Sequence, residues 1–569
     1  MTLRLLHALS RWFGDPTRTL VVLCLLIGGF SLVVILDYSG YPFPPYRYWL
    51  LEYFLRTQDL AGAVLLMALV LAACLPRTQG PALAFVDMVS RHPWRTAGVT
   101  FVVLCLGTLY VEHNHPLAQD EYAALFQSQV FAAGRLTGRF PPELIGRLIP
   151  PFYMNQFLYG SFQTGQVASA YWPGFALLLT PFSFVHAPWA CNPLLASLAL
   201  VLIGRIAVRV TGAPQAGGWA MLLALGSPGF TAMAITYFSM TAHLLLNLVF
   251  VWLLLERTTG RLVLAGVVGS FALVLHNPLP HALFALPWIA WLALQPAPYR
   301  ALLALAAGYA PLALAVGFGW ALLLSDIQGN ALIGLFAFDS NPIHRIANFF
   351  WGWNIKMRTA LAAPGNDIFA MRLAELVRLW NWAVPGLLLL AAGGCWLGRR
   401  DPRMLLLGLS MLSTILGYLF VGFTQGHGWG ARYLHPAWGA LPVLAAVALV
   451  RAPLGAAWQR MRGYLASLAI LSLVFATALR AVQIYSYLDM HLANRPPALP
   501  GIRQIVFVAF DSPAYTGDLV QNDPFLRNKL WYMMSLGPTS DHWLIKSRFP
   551  EARFVSSDRR GEVWRLDSP

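Results

Sequence analysis

TAGVTFVVLCLGTLYV (96–111), EHNHP (112–116) and LAQDEYAALFQSQVFAAGRL (117–136) follow one another without a break, and this stretch decides how the chain is read. The first piece is an apolar run approaching bilayer thickness at about 1.5 Å per helical residue. The polar turn ends it. Asp120 and Glu121 then sit side by side just past the membrane face, in a chain that keeps acids out of its apolar stretches almost everywhere. Two readings of the pair stand together. Adjacent carboxylates raise each other's proton affinity, which suits a general base working at the interface. Equally, acids at the start of a helix stabilise its N-terminal end.

Outward from this stretch, the 569 residues are 58% hydrophobic and 11% charged, with a mean hydropathy of +0.59. That composition belongs to a polytopic membrane protein. About fourteen apolar stretches lie between residues 20 and 482, several shorter than the roughly 20 residues a span needs. The fold expected is all-α, with about 13 transmembrane helices. The net charge of +15 does not point to nucleic acid, because the arginines mark alternate connections. Arg4, Arg11 and Arg18 precede the first span; Arg77, Arg91 and Arg95, Arg205 and Arg209, Arg257 and Arg261, and Arg399, Arg400 and Arg403 follow the same alternation. This positive-inside pattern places the N-terminus in the cytoplasm and the C-terminus outside. One parity problem remains between 171 and 236, where three apolar stretches stand in place of two or four. The stretch 171–189 opens on Trp172-Pro173-Gly174 and contains Pro181, so a half-helix or re-entrant piece is one solution. The first apolar run reads as a retained anchor. The five cysteines fall in or beside apolar stretches and indicate neither a disulfide framework nor a metal site.

Three segments fall on the outer side. In 113–170, Tyr122, Leu125, Phe126, Val130 and Ala133 recur at helical spacing before Gly134, and Pro141-Pro142-Glu143 opens a second pattern with Leu144, Ile145, Leu148 and Ile149. Both read as amphipathic outer-loop helices, roofing a cavity or simply anchoring the loop. In 325–380, Lys356 and Arg358 lie among aromatic residues. Lysine occurs three times in the chain, so Lys356 reads either as a point charge for a phosphate or as part of an interfacial belt. The third segment is GFTQGHGWGARYLHPAWGALP (422–442). Its glycines unwind the chain before the next span, and Arg432, Tyr433 and His435 project at its end. A cation there fits a phosphate leaving group; a loop with a snorkelling arginine is the plainer alternative.

From about residue 481 the composition changes. IVFVAF (505–510) reads as a buried strand, 541–548 as a short helix, and ARFVSS and EVWRL complete an α/β pattern. This tail of about 85 residues is a small outer unit, too short for an enzyme on its own.

The acidic pair, YWPGFALLLTPF (171–182), SPGFTAMAITYFSMTAHLLL (227–246), HNPLPHALFALPW (276–288) and GWGARYLHPAWGALP (428–442) occur in this order. Together they resemble the C-type superfamily of integral membrane glycosyltransferases, near the branch of protein O-mannosyltransferases and the lipid A aminoarabinose transferase. The likeness covers about 96–480, leaving 1–95 as a two-helix N-terminal addition and 481–569 as a small periplasmic domain. The resemblance implies a donor sugar on a polyprenyl phosphate, transfer to a hydroxyl with inversion at the anomeric carbon, and Asp120 as the base, with Glu121 beside it. It places the protein in a bacterial inner membrane, with a cell-envelope lipid, glycan or protein as acceptor. Donor-phosphate contacts then fall to Arg432, Tyr433, His435, Lys356, Arg358, His276 and His281. Relatives carry a second outer acid or a histidine near 237–240, which this chain lacks. Where relatives often read Arg-Pro-Leu, it has His276-Asn277-Pro278-Leu279-Pro280-His281. The leaving-group contacts are therefore rearranged, and a divalent metal stays open.

The rival from another class is a transporter or lipid flippase, which would carry mid-membrane charges and internal repeats. The notable charges here gather at span ends, and the two halves of the chain show no correspondence. A polysaccharide polymerase or ligase would share the outer loops but leave the acidic pair unexplained.

Overall fold

The computed structural model describes residues 15–40, 49–328, 366–422, 424–499, 501–512 and 514–566, together with 341, 343, 344 and 347. Among them, six helices are long and apolar enough to cross a membrane: Pro16–Tyr38, Leu50–Ala72, Pro93–Val111, Pro188–Thr211, Pro298–Ile327 and Ala456–Leu492. A further span bends by 49° between Arg432–Trp438 and Ala440–Arg451. Shorter apolar helices, among them Met240–Leu254, Thr259–Leu273, Leu279–Ala293, Leu387–Leu397 and Pro402–Tyr418, fill the bundle. The chain is a polytopic helical membrane protein.

Local sequence explains the ends of these helices. Pro93, Pro214, Pro298 and Pro402 stand in the first turn of their helices, where a missing N–H costs nothing and φ is already helical. Asp401 and Thr258 accept the Arg403 and Arg261 backbone N–H groups as caps. Between helices, small residues replace hydrophobic driving force. A Cβ at Gly266 would strike the Leu305 carbonyl, and one at Gly308 the Val263 carbonyl. Thr259–Leu273 and Pro298–Leu312 thus touch backbone to backbone, as membrane helices do when dispersion must hold them. Val99, Val102, Val103 and Leu106 remain exposed on the span Pro93–Val111, a face that suits lipid rather than water.

The basic connections gather at one end of the bundle. Arg205 lies over Trp94, Arg257 over Trp291, and Arg209 and Arg261 both pair with Glu256. Residues 112–121, 171, 237, 276 and 432 meet at the other end. The stretch 171–189 forms the eleven-residue helix Gly174–Phe184, too short to cross. It runs beside Gln119–Ala132, with the Ser128 and Ser183 hydroxyls 2.7 Å apart. The helix Cys191–Thr211 then leaves this end, and Pro214–Leu225 with Pro228–Ala234 returns to it. The Tyr237 N–H reaches Glu121 Oε1 at 2.7 Å, which closes the parity.

Outside the bundle, β1 (Gly138–Arg139), β2 (Leu158–Gly160) and β3 (Gln166–Ser169) form a small antiparallel sheet in the order β1-β3-β2. The second pattern of the first outer segment is a 3-10 turn, Pro142–Leu144, and one α-turn, Ile145–Leu148. The apolar residues of both outer helices pack on the C-terminal unit: Phe126, Leu144, Ile145 and Leu148 share a core with Ile505, Phe507, Trp531 and Met533. That unit holds β4 (Gln504–Val508), β5 (Leu530–Met534), β6 (Arg553–Asp558) and β7 (Gly561–Arg565) in the order β5-β4-β7-β6, with β4 and β5 parallel. The helix Pro538–Arg548 lies between β5 and β6 in sequence. Strand β5, LWYMM, directly follows Asn528 and Lys529 and escaped the sequence pattern.

Candidate active site

The helix Gln119–Ala132 begins without a capping side chain of its own, because Ala118 stands at the N-cap. Other groups take up its free N–H donors. Glu121 Oε2 accepts from the Leu117 and Ala118 backbone at 2.9 and 3.3 Å, while Oε1 holds Tyr237 N. Asp518 of the C-terminal unit accepts the Gln119 N–H at 3.1 Å. The Tyr122 hydroxyl donates to the Asn522 carbonyl at 2.6 Å. The capping reading of the acidic pair therefore describes Glu121, whose two oxygens hold three backbone N–H groups from two segments.

Asp120 faces the other way. Tyr171 donates its hydroxyl to Oδ1, and Arg432 Nη1 donates to Oδ2 at 2.8 Å. Burial raises the Asp120 pKa, but the charges of Arg432 and His276 and the Tyr171 hydroxyl outweigh it and hold the carboxyl below its usual range. Glu121 is not among the largest influences, so the mutual tuning expected of adjacent acids is not what sets Asp120. Glu121 itself is pushed up to about 7 by burial, against the pull of its backbone donors and Arg432. Glu112 is raised well above the carboxylate range by burial and by Glu121, and it accepts the Trp429 indole N–H.

Arg432 comes from the glycine-rich segment. Gly426, Gly428 and Gly430 have φ of 65°, 125° and 58°, a region that costs other residues energy. Within this turn, Gln425 Oε1 accepts the Arg432 N–H at 2.7 Å and its Nε2 donates to the Gly430 carbonyl at 2.8 Å. Arg432 Nη2 donates to the Gln425 carbonyl, and the guanidinium lies 4.2 Å from the Phe238 ring centroid. Its Nε is buried and makes no hydrogen bond. The helix Asn366–Asn381 grips both flanks of the segment: Arg372 Nη2 donates to the Val421 carbonyl at 2.6 Å, and Glu375 accepts the Gln425 N–H.

His276 completes the wall. Its ring centroid lies 3.8 Å from that of Tyr171, and burial with nearby Arg432 lowers its pKa to about 4 even though Asp120 pulls it upward. The Gly174 and Phe175 N–H groups bond the Val274 and Leu275 carbonyls at 2.8 and 3.0 Å. A Cβ at Gly174 would meet that Val274 oxygen at 2.6 Å, so this close approach requires glycine. Asp120, Tyr171, Trp172, Phe175, Phe238, His276 and Arg432 line one narrow cavity.

Other residues singled out from the sequence lie elsewhere. His281 is buried between Asn247 Oδ1 at 2.7 Å and the Tyr309 hydroxyl at 2.6 Å, and does not line the cavity. Tyr433 stacks on Tyr418 at 4.8 Å and donates to the Thr424 carbonyl, and His435 is buried against Trp438. Lys356 and Arg358 lie outside the described residues. Among the described residues, no group of three or more His, Cys, Asp or Glu side chains is arranged to hold a metal ion.

Tyr171, Gln425 and the Arg372–Glu375 pair were not legible as site residues. Nor was Asp59, which is fully buried between Arg378 Nε at 3.0 Å and Arg480 Nη2 at 3.2 Å and accepts the Trp382 indole N–H at 2.7 Å. Opposite charges inside two apolar stretches, Asp59 and Arg480, are the signal that would have found this tie.

No family model matches the sequence, and no curated protein matches it. The fold is similar to the crystal structure of ArnT from Cupriavidus metallidurans bound to undecaprenyl phosphate, with a TM-score of 0.48 and 14% identity over 84% of this chain and 99% of that one. The apo state of that ArnT gives a TM-score of 0.47 and 13% identity, over 83% and 98%.

Proposed function

We propose that the chain is a glycosyltransferase that moves a sugar from a polyprenyl-phosphate donor to a hydroxyl acceptor at the outer face of a bacterial inner membrane. The observation that carries this reading is the Asp120–Arg432 pair, a carboxylate held ionised against a guanidinium in one aromatic-walled cavity. Asp120 takes the proton of the acceptor hydroxyl as its oxygen bonds to the anomeric carbon. The bond from that carbon to the donor phosphate oxygen breaks, and the phosphate leaves with the electron pair. Backside attack inverts the sugar. Arg432 neutralises the departing phosphate, for which its planar fork is suited. Donor phosphate competes with Asp120 for Arg432, so donor binding frees the base at the moment it is needed.

General base action contributes about 10²–10⁴-fold in rate, and a preorganised cation a comparable or larger share. Tyr171 and His276 orient Asp120; Glu121 holds the helix that carries it. The test is to incubate the purified protein with radiolabelled polyprenyl-phosphate sugars and follow the label to a hydroxyl acceptor. Absence of transfer from every such donor, with folded protein, would overturn the assignment.

A further inference from the structure

Away from Asp120, a groove of about 870 Å³ opens between the first outer segment and the C-terminal unit. Arg135, Arg139, Arg503 and Arg527 line it with Phe525 and Trp531, and its one lining acid, Glu143, lies 4.0 Å from Arg548. The Arg135 guanidinium lies 5.4 Å from the Phe525 centroid and that of Arg527 5.2 Å from it, while Arg503 lies 4.9 Å from the Trp531 centroid. Aromatic faces hold guanidinium groups in place without consuming their charge. Asp523 is taken up by Arg527 at 3.0 Å. Among the described residues, Arg135 and Arg139 have no acidic partner, and both are exposed. A second hollow of about 620 Å³ shares these two arginines, so the basic surface is extended. Leu526, in the loop beneath, has a φ of 54°, a backbone strain that a bulky residue keeps only where surrounding structure enforces it.

We infer that this groove binds an anionic glycan, the water-phase part of the acceptor. The choice of ligand follows from three features. The groove lies near the upper end of the roughly 300–1,000 Å³ of small-molecule pockets, which suits a ligand of several sugar units rather than one phosphate. Its guanidinium groups come from both walls, Arg135 and Arg139 from the outer segment and Arg503 and Arg527 from the C-terminal unit, which suits several carboxylates or phosphates on successive sugars. Its lining comes from the outer loop and the C-terminal unit, with none from the apolar helices, which favours a soluble glycan over a bilayer lipid. Arg135 lies about 20 Å from Asp120 along the helix Gln119–Ala132, a distance that an oligosaccharide of several units spans. The role as acceptor rests on the proposed transferase activity; the binding itself does not.

The experiment measures binding to the full-length protein in detergent by calorimetry, with no donor present. The probes are hexameric oligogalacturonate, neutral maltohexaose and water-soluble dihexanoyl phosphatidylglycerol. The charged hexamer should bind at least tenfold tighter than either other probe, and its affinity should fall as salt rises. Arg135→Glu with Arg139→Glu should weaken it at least tenfold, and the milder Arg135→Gln with Arg139→Gln gives the same comparison should the glutamate pair disturb folding. Asp120→Asn should leave hexamer binding unchanged, which separates this site from the reaction centre. Equal hexamer affinity in the folded arginine variants, equal binding of maltohexaose, or tighter binding of the short lipid would each overturn the inference.

Discussion

Asp120 Oδ2 and Arg432 Nη1 lie 2.8 Å apart although 312 residues separate them in sequence. Arg432 is buried and Asp120 half-buried, and each is delivered by an element that other parts of the chain hold rigid: the outer helix for Asp120, the glycine turn for Arg432. Withdrawing two opposite charges from water is costly, and in the proposed mechanism both serve the same cavity.

Asp120→Asn should abolish transfer, by at least 100-fold, with little change in thermal stability. The substitution is nearly isosteric and still accepts from Arg432 and Tyr171, yet it cannot take a proton. Retention of most activity in a donor-transfer assay would make the residue structural.

Arg432→Ala should lower turnover and donor affinity, and Arg432→Lys should restore only part, because lysine lacks the planar fork. Arg432 is also the main group holding the Asp120 pKa down. In the wild type, kcat/KM should therefore persist as pH falls through the ordinary carboxylate range. In Arg432→Ala the acid limb should move to higher pH, since burial then acts on Asp120 with less opposition. An unmoved acid limb would separate the two residues.

Glu121 gives a stability signature rather than a rate signature. Its folded pKa of about 7 lies above the ordinary 4.5, so the folded protein binds its proton more tightly than the unfolded chain does. That contribution is complete below about pH 4.5 and is lost as pH rises through 7; buried Glu112 acts in the same direction. Melting curves should show stability falling between these values, and Glu121→Gln should flatten the fall. A Glu121→Gln profile parallel to wild type would remove Glu121 from the effect.

Asp518→Ala should weaken transfer by releasing the start of the Asp120 helix, with a stability loss of about 1 kcal/mol, as for other lost caps. Asp518→Asn keeps an acceptor for the Gln119 N–H and should be milder. Equal kinetics in wild type and Asp518→Ala would show that the helix start holds without the C-terminal unit.

Asp59→Leu should be more damaging to folding than any of these, by about 3–5 kcal/mol, since it leaves Arg378 and Arg480 buried without their anion. Thermal unfolding in detergent checks this, and a near-wild-type melt would mean that other groups satisfy the two arginines.

The apolar runs, the outer position of the acidic pair relative to the basic connections, the glycine break before Arg432 and three of the four C-terminal strands were legible because each leaves a local trace: periodicity, charge placement or glycine spacing. The partner of each charge was not. Nothing near Asp120 in sequence announces Tyr171 or Arg432 as its neighbours, and nothing near Gln425 announces Glu375 as the acceptor of its N–H. His276 and His281 look alike in the same proline-rich segment, yet three-dimensional packing gives one to the cavity wall and the other to Asn247 and Tyr309. The short helix Gly174–Phe184 was the ambiguous piece, because hydropathy measures composition and not whether a helix crosses.

The Gln119–Asp518 contact also sets an order of events in synthesis. The two residues are 399 positions apart, so at translation rates of about 5–20 residues per second the acid-bearing helix emerges roughly 20 to 80 seconds before its cap exists. During that interval the membrane bundle is threading while the base lacks its final clamp. Under the proposed function, a nascent chain would stay inert toward its substrates until the C-terminal unit has docked.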